Sequence, residues 1–171
     1  KSGCQSLVIG IESGSQRILD KMKKGLNLEL IREKVALAKR YDLPVHAFFI
    51  LGYPDETIED IKKTEQLAMQ LDIVGATFSL FCPIPGSEIT ESLIDKKEIN
   101  PSFMDISKGS LAIPVYSPVS ISLKKLKKIQ QKIMLRFYFR PRIIWFYLRM
   151  IFPLKRSLYF IRVGIGYFFG R

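Results

Sequence analysis

The first 97 residues alternate between short apolar runs and segments whose apolar residues recur at helical spacing. Residues 7–11 form a nearly continuous apolar run, which is typical of a strand buried on both faces. Residues 28–41 repeat apolar side chains every three or four positions, as in a helix with one buried face. Asn27 can cap this helix, and Gly25 can end the one before it. The pattern predicts the order β-α-α-β-α-β-α, with strands at 7–11, 45–51 and 75–82 and helices at 15–23, 28–41, 57–71 and 88–97.

Strands that are separated by helices indicate right-handed crossovers and a parallel sheet. Three strands are too few to close a sheet, so the pattern favours a (β/α) barrel cut near its middle, with a doubly wound sheet as the alternative. In both architectures the chemistry lies at the carboxyl ends of the strands. Those ends are predicted at residues 12–14, 52–54 and 82–83.

Charge divides the chain into two parts. Residues 1–105 hold 13 Lys and Arg against 16 Asp and Glu, whereas residues 106–171 hold 14 Lys and Arg and no acidic residue. With 47% hydrophobic and 25% charged residues, the composition is globular and excludes a mainly disordered chain. Cys4 and Cys82 lie too far apart for a local metal cage or a disulfide-rich scaffold. The first residues have no signal-peptide pattern, and we expect a piece of a longer protein.

Three residues near the strand ends are candidates for ligand contacts. Glu12 follows the first strand, where a polar ligand can reach it, although a solvated carboxylate is equally consistent. Lys24 can return to the strand ends and meet a carboxylate, although spacing alone favours a surface lysine at a helix end. Gly52 allows close approach of a flat ligand, although spacing alone favours an ordinary turn. His46, the only histidine, favours an interior role over that of a base or ligand.

Three motifs at these strand ends occur in a defined order: IGIESGSQRIL at 9–19, FILGYPDET at 49–57 and PIPGSE at 83–88. In order and spacing they resemble the second half of radical S-adenosylmethionine (SAM) enzymes. The resemblance is greatest to the branch that often carries an upstream cobalamin-binding domain, and it covers residues 1 to about 97. It implies an α/β fold, a partial (β/α)6 TIM-like barrel of which this chain holds the fourth to sixth strands.

The same resemblance implies a set of cofactor contacts. Glu12 and Ser13 match positions that hydrogen-bond the amino and ribose groups of SAM. Lys24 matches a basic residue that pairs with the SAM carboxylate. Ile50 and Gly52 match the strand-five stretch that packs on the adenine.

Two departures from the family pattern are visible in the sequence. Phe48 stands where the family has Gly, at a position close to the adenine. The Cys-x3-Cys-x2-Cys loop that binds the [4Fe–4S] cluster is absent, so the resemblance implies that the cluster ligands lie outside this chain. No metal ligand and no catalytic residue is assigned within it. We expect a fragment that is inactive alone and needs SAM, the cluster, an electron donor, the missing N-terminal half of the enzyme and, from an upstream domain, cobalamin.

The rest of the chain divides into an irregular linker at 98–119 and a basic, aromatic, amphipathic helical tail at 120–171. A helix is predicted from Ser122 to just before Pro141, with apolar residues on one face and lysines opposite. The tail fits an interfacial segment on a membrane, a helix docked on the barrel, or a nucleic-acid surface. The membrane segment is favoured over the docked helix, and a nucleic-acid surface is the least favoured, because the dense Phe and Ile content argues against it.

The sequence thus predicts the SAM-binding half-barrel of a radical SAM enzyme that acts on a hydrophobic or membrane-associated substrate. The expected location is cytoplasmic, peripheral at the inner face of the membrane. Two alternatives stay open. One is a non-catalytic membrane-surface scaffold with a degenerate barrel half, and the other is an RNA-modifying radical SAM enzyme with a basic RNA-binding tail.

Overall fold

Three parallel strands carry the fold of the computed structural model, which describes residues 3–100 and 116–151. The strands pair in the order β1-β2-β3. The predicted succession of elements is confirmed, and each predicted bound up to residue 97 lies within two residues of the observed one. The strands are β1 (Leu7–Glu12), β2 (Val45–Leu51) and β3 (Gly75–Leu80). The helices are α1 (Gln16–Lys21), α2 (Leu28–Arg40), α3 (Ile58–Gln70), α4 (Glu88–Asp95), α5 (Leu123–Tyr138) and α6 (Pro141–Ile151).

Side-chain caps explain where several helices begin. The Asn27 side chain accepts a hydrogen bond from the Leu30 N–H at 2.7 Å and caps α2. Thr57 and Asp60 form a capping box at the start of α3, in which each side chain accepts from the backbone N–H of the other. Both caps were predicted from the sequence, because they depend only on residues three positions apart.

One face of the sheet is covered by helices. Ala47, Phe49 and Leu51 of β2 are almost fully buried in a core that also includes side chains of α2, α3 and α5. Phe48, on the opposite face, is 43% exposed. A doubly wound sheet would carry helices on both faces, whereas a barrel has them outside only. The described arrangement is therefore consistent with part of a (β/α) barrel.

The helix α5 is part of this same core. Leu126, Ile133 and Phe137 are at most 1% exposed, and the Phe137 ring meets Phe78 of β3 edge-on at 6.1 Å between centroids. The apolar face of α5 is therefore docked on the sheet, as the second interpretation of the tail proposed. It is not free to lie on a membrane, although membrane association of the tail by another surface stays a prediction.

Polar contacts fix the position of α5 along β3. Gln130 Nε2 donates to the Phe78 carbonyl at 2.5 Å, and the Tyr138 hydroxyl donates to the Ala76 carbonyl at 2.9 Å. Because these bonds reach backbone groups of β3, they fix the position of the helix relative to the strand.

Much of the predicted linker and tail lies outside the described residues, namely 101–115 and 152–171. At the two ends of the first gap, the Tyr116 hydroxyl donates to the Glu98 carboxylate at 2.9 Å. Within residues 3–100 and 116–151, no helix combines the length and the apolar character that crossing a bilayer requires.

Candidate functional site

The end of β1 bends so that Glu12 leaves the regular strand. Gly10 pairs with Phe48 and Glu12 pairs with Phe49, so Ile11 is the extra residue of a β-bulge. Glu12 has a φ of 69°, in the left-handed region that residues other than glycine rarely adopt. Because of the bulge and this conformation, the Glu12 carboxylate lies beside Gly10 at the edge of the sheet. Four other non-glycine residues of the described chain share a positive φ, so the bulge rather than the φ alone distinguishes Glu12.

Lys24 returns to the same edge and forms an ion pair with Glu12. Its Nζ lies 2.9 Å from Glu12 Oε1, and the two side chains are 40% and 16% exposed, respectively. Gly10 makes room for the pair, since a Cβ there would lie 2.5 Å from Glu12 Oε1 and 3.6 Å from Lys24 Nζ. The meeting of Lys24 with a carboxylate at the strand ends, which the sequence allowed but did not favour, is thus observed.

A partly exposed pair of opposite charges can exchange its internal contact for a ligand that carries both charges. The amino-acid end of SAM is such a zwitterion, with an ammonium that Glu12 can accept from and a carboxylate that Lys24 can donate to. The Lys24 side chain is 40% exposed, so the ion pair can open toward solvent and toward such a ligand. The residues present therefore fit this part of SAM.

The turn after Glu12 is bound to α3 by hydrogen bonds that sequence reasoning missed. The hydroxyls of Ser13 and Thr64 lie 3.2 Å apart, and the Gly14 N–H donates to Thr64 Oγ1 at 2.9 Å. Gly14 has no space for a side chain, because a Cβ would meet the Lys63 carbonyl and lie 2.5 Å from Thr64 Cα. Ser13 is fully buried, and its hydroxyl also accepts from the Ser15 N–H at 3.1 Å, so it holds the turn in place. The SAM contact that the resemblance implies for Ser13 stays a prediction.

Asp60 connects this turn to the start of α3. Its buried carboxylate accepts from the Ser15 hydroxyl at 2.6 Å and from the Thr57 hydroxyl at 2.7 Å, and it forms an ion pair with Arg17. Burial alone would raise the pKa of Asp60, but the hydrogen bonds from Arg17, Ser15 and Thr57 outweigh it and hold the pKa well below its usual range. The sequence predicted only the capping role of Asp60, because Ser15 lies 45 positions away.

Gly52 ends β2 with a φ of 81°, a conformation that glycine adopts without strain. A Cβ there would lie 2.5 Å from Leu126 Cδ2. The space beside Gly52 is thus filled by α5 rather than left open. Because β1 and β2 are parallel, Gly52 and Glu12 nevertheless end their strands at the same edge of the sheet. The adenine contact of Gly52 stays a prediction.

Ile50 lies on the same face of β2 as Phe48 and packs against a small cluster that includes Ile18, Tyr53 and Leu93. This placement suits Ile50 for the predicted packing on the adenine, which stays a prediction. His46 lies near the opposite, amino-terminal end of β2, where its ring occupies the space beside Gly75. This position is remote from the carboxyl edge and agrees with an interior role.

Glu56 closes the turn after Gly52 and is another residue that sequence reasoning missed. It is fully buried, and one carboxylate oxygen accepts from the Gly52 N–H. Within the described part of the chain, its Oε1 has no hydrogen-bond partner. Burial, with a smaller contribution from the nearby Asp60, raises the pKa of Glu56 to about 7, although the Gly52 N–H acts in the opposite direction.

We expect the substitution Glu56→Gln to remove a pH-dependent loss of stability. Because the folded-state pKa is raised from 4.5 to about 7, the folded protein binds more protons than the unfolded one in this window, and its stability falls as pH rises. Gln cannot ionise, so the variant should gain on the wild type by up to about 3 kcal/mol between pH 4.5 and pH 7.5. Urea unfolding across that pH range measures the difference. Parallel stability curves for the two proteins would contradict the raised pKa.

The two cysteines do not form a metal site in the described part of the chain. Cys4 is exposed and Cys82 is partly buried. No group of three or more His, Cys, Asp or Glu side chains that could hold a metal ion occurs in residues 3–100 and 116–151. The described residues therefore include no such group that could ligate an iron–sulfur cluster.

Comparison with known proteins identifies the family of the segment that carries Glu12 and Lys24. The sequence model of the radical SAM superfamily matches residues 1–68, which include β1, Glu12, Lys24 and the turn from Gly52 to Glu56. Residues 1–68 belong to the radical SAM superfamily. The resemblance predicted from the motifs is confirmed, and radical SAM proteins use SAM and a [4Fe–4S] cluster as cofactors.

Proteins similar to this chain are named for different activities. The chain is 32% identical over 84% of its length to an uncharacterized methyltransferase of Pyrococcus horikoshii. It is 33% identical over 59% of its length to the cytidylyl-2-hydroxyethylphosphonate methyltransferase of Streptomyces wedmorensis. It is 25% identical over 97% of its length to the anaerobic magnesium-protoporphyrin IX monomethyl ester cyclase of Cereibacter sphaeroides. The chain spans 31%, 20% and 27% of these relatives, respectively, which is less than a third of each.

Proposed function

We propose that this chain is the SAM-binding half-barrel of a radical SAM enzyme that acts on a hydrophobic or membrane-associated substrate. The observation that carries the SAM site is the Glu12–Lys24 ion pair at the carboxyl edge of a parallel sheet. In this proposal Glu12 binds the amino group of SAM and Lys24 its carboxylate. The proposal further assigns a ribose contact to Ser13 and adenine contacts to Ile50 and Gly52.

The proposed enzyme includes a segment with the Cys-x3-Cys-x2-Cys loop, since this sequence lacks it, and an electron donor. We expect the chain to be inactive without them. Together, the cluster and SAM supply one-electron radical chemistry when bound. The residues of this chain orient SAM and exclude water from it. Cobalamin is a further proposed cofactor, because the motifs resemble the cobalamin-associated branch and two of the relatives described above are named methyltransferases.

The hydrophobic substrate class rests on the C-terminal part of the chain. The names of the relatives include both a cytidylyl phosphonate and a magnesium-porphyrin ester, so names alone do not select a substrate. The relative that aligns over 97% of the chain, and hence over most of the tail, is the porphyrin ester cyclase. The described part of the tail also exposes apolar side chains, among them Trp145 at 63%. These observations favour an apolar substrate and a location at the inner face of the membrane.

Removing or exchanging the charges of the ion pair distinguishes a SAM-binding role from a structural one. Glu12→Gln and Lys24→Met should each weaken SAM binding by at least tenfold, because each loses a charge-assisted hydrogen bond worth about 1.5–3 kcal/mol. The exchange variant Glu12→Lys/Lys24→Glu retains an ion pair but presents its charges to the zwitterion in the wrong order. It should therefore fold like the wild type and still lose SAM affinity.

Anaerobic equilibrium binding of SAM to the longer, cluster-loaded polypeptide measures these effects. Lys23→Met is the matched control, because Lys23 pairs with Glu88 on the surface and not with Glu12. The control should bind SAM within about twofold of the wild type, since exposed pairs contribute little. Normal SAM affinity in the exchange variant would disprove the proposed site.

A further inference from the structure

The face of α5 that points away from the sheet carries a stripe of basic and apolar side chains. These side chains recur every three or four positions, so they share one side of the helix. Leu135 and Phe139 are 59% and 71% exposed, respectively. We call this set the outer stripe, and it consists of Lys124, Lys128, Lys132, Leu135 and Phe139.

The lysines of the outer stripe are not used by the fold. None of them forms an ion pair with any residue that the structure describes, whereas Arg136 pairs with Glu65 and Arg142 pairs with Asp72. Because residues 106–171 contain no acidic side chain, the positive charge of this surface is not neutralised within its own segment. Its complement is an anionic partner.

Helix α6 follows α5 along the chain and carries further exposed apolar side chains. Ile143 is buried and anchors the helix, but Ile144, Trp145 and Leu148 are between 39% and 63% exposed. Large apolar side chains that cluster on a surface mark contacts with a protein or a membrane. Trp in particular prefers the boundary between water and lipid, where its ring is in an apolar environment and its N–H is hydrated.

We propose that the outer stripe and the exposed apolar side chains of α6 form a docking surface for an anionic lipid bilayer. The lysines attract the headgroups, while Leu135, Phe139 and Trp145 enter the interfacial layer. This differs from the expectation for a simple amphipathic helix, because the apolar face of α5 is buried in the core and only the opposite face is available.

The chemistry of the surface favours lipid over RNA. Single-stranded RNA binds through bases stacked on aromatic rings between basic groups. Here most of the exposed apolar side chains, including Leu135, Ile144 and Leu148, are aliphatic and cannot stack on a base, but they fit an acyl-chain boundary. The proposal names an anionic bilayer as a partner of the enzyme proposed above. Only the biological purpose of the docking rests on that proposed function. Docking itself requires neither SAM nor the cluster.

Vesicle co-sedimentation of the full chain tests the docking surface. We expect binding to vesicles of equal parts phosphatidylglycerol and phosphatidylcholine, and much weaker binding to phosphatidylcholine alone. The triple variant Lys124→Gln/Lys128→Gln/Lys132→Gln should lose about fivefold in affinity per lysine, roughly 100-fold in total. The double variant Leu135→Ser/Phe139→Ser should lose at least about tenfold, because its side chains no longer enter the interface.

The matched control is Lys34→Gln/Lys62→Gln/Lys63→Gln, which removes three exposed lysines from α2 and α3. It should retain vesicle affinity within about threefold, and circular dichroism melting should show that all variants fold. Equal losses in the control and the outer-stripe variants would overturn the proposal, because net charge would then account for binding. Binding of a single-stranded RNA through the same lysines, without affinity for vesicles, would also overturn it. SAM affinity is measured separately, so loss of docking leaves the proposed SAM site untouched.

Discussion

Replacing Phe137 with alanine will lower the free energy of unfolding by about 3–5 kcal/mol, the usual cost of deleting a fully buried phenyl ring. The ring is completely buried between α5 and the sheet. It meets Phe78 edge-on at 6.1 Å, and the Arg140 guanidinium lies 4.1 Å from its centroid. Alanine leaves a cavity at the junction of α5 with β3.

Phe139→Ala is the matched control, since Phe139 has the same side chain two positions away but is 71% exposed. Its stability should stay within about 0.5 kcal/mol of the wild type. Urea unfolding followed by circular dichroism measures both variants. Similar small losses in the two variants would show that α5 is not part of the cooperative core.

Replacing Asp60 with alanine will lower stability by about 2–4 kcal/mol, because it removes one half of the capping box and leaves the buried Ser15 hydroxyl without its acceptor. The Ser15 and Thr57 hydroxyls lose their shared partner, and Arg17 loses its ion pair. Asp60→Asn should lose less, because the amide oxygen can still accept a hydrogen bond although the charge is gone. Glu59→Ala, in the same turn but exposed and paired with Lys62 on the surface, should change stability by about 0.5 kcal/mol or less.

The Asp60 contribution depends on pH in the opposite sense to that of Glu56. Since the folded state holds the pKa of Asp60 below the ordinary 3.8, its stabilisation is complete above that value and is lost as pH falls toward the folded pKa. The gap between wild type and Asp60→Asn should therefore be constant from pH 5 to pH 8 and narrow below about pH 4. Unfolding at fixed urea steps and varied pH measures the gap. A gap that widens on acidification would contradict the assignment.

The succession of strands and helices could be predicted from the sequence because it depends on local spacing. The apolar run of β2 is continuous, and each capping residue, Asn27 or Thr57, lies three positions from its partner. The structure confirms the strand and both caps. The motif order likewise identified the family from residues on three strand ends. The Glu12–Lys24 pair was within reach too, since twelve residues and one short helix separate its members.

The placement of the tail was less predictable. The sequence favoured a membrane segment over a docked helix, because an apolar face opposite lysines is common to both. Leu126 and Phe137 decide for docking within the described residues, since they fill space beside Gly52 and Phe78 that only the folded sheet creates. The face of α5 that remains available to a partner is therefore the outer stripe. From the helical pattern alone, that face would be interpreted as a hydrated surface.

The sequence by itself thus determined the order of elements, the caps, the family motifs and the split between a balanced first part and a basic second part. Only the tertiary structure decided that Glu56 is buried, that Ser13 and Asp60 bind across to distant elements, and which face of α5 remains in solvent. The physical reason is distance along the chain. Periodicity and capping act over a few residues, whereas burial and its effect on the pKa of a carboxylate depend on elements brought together from more than 40 positions apart.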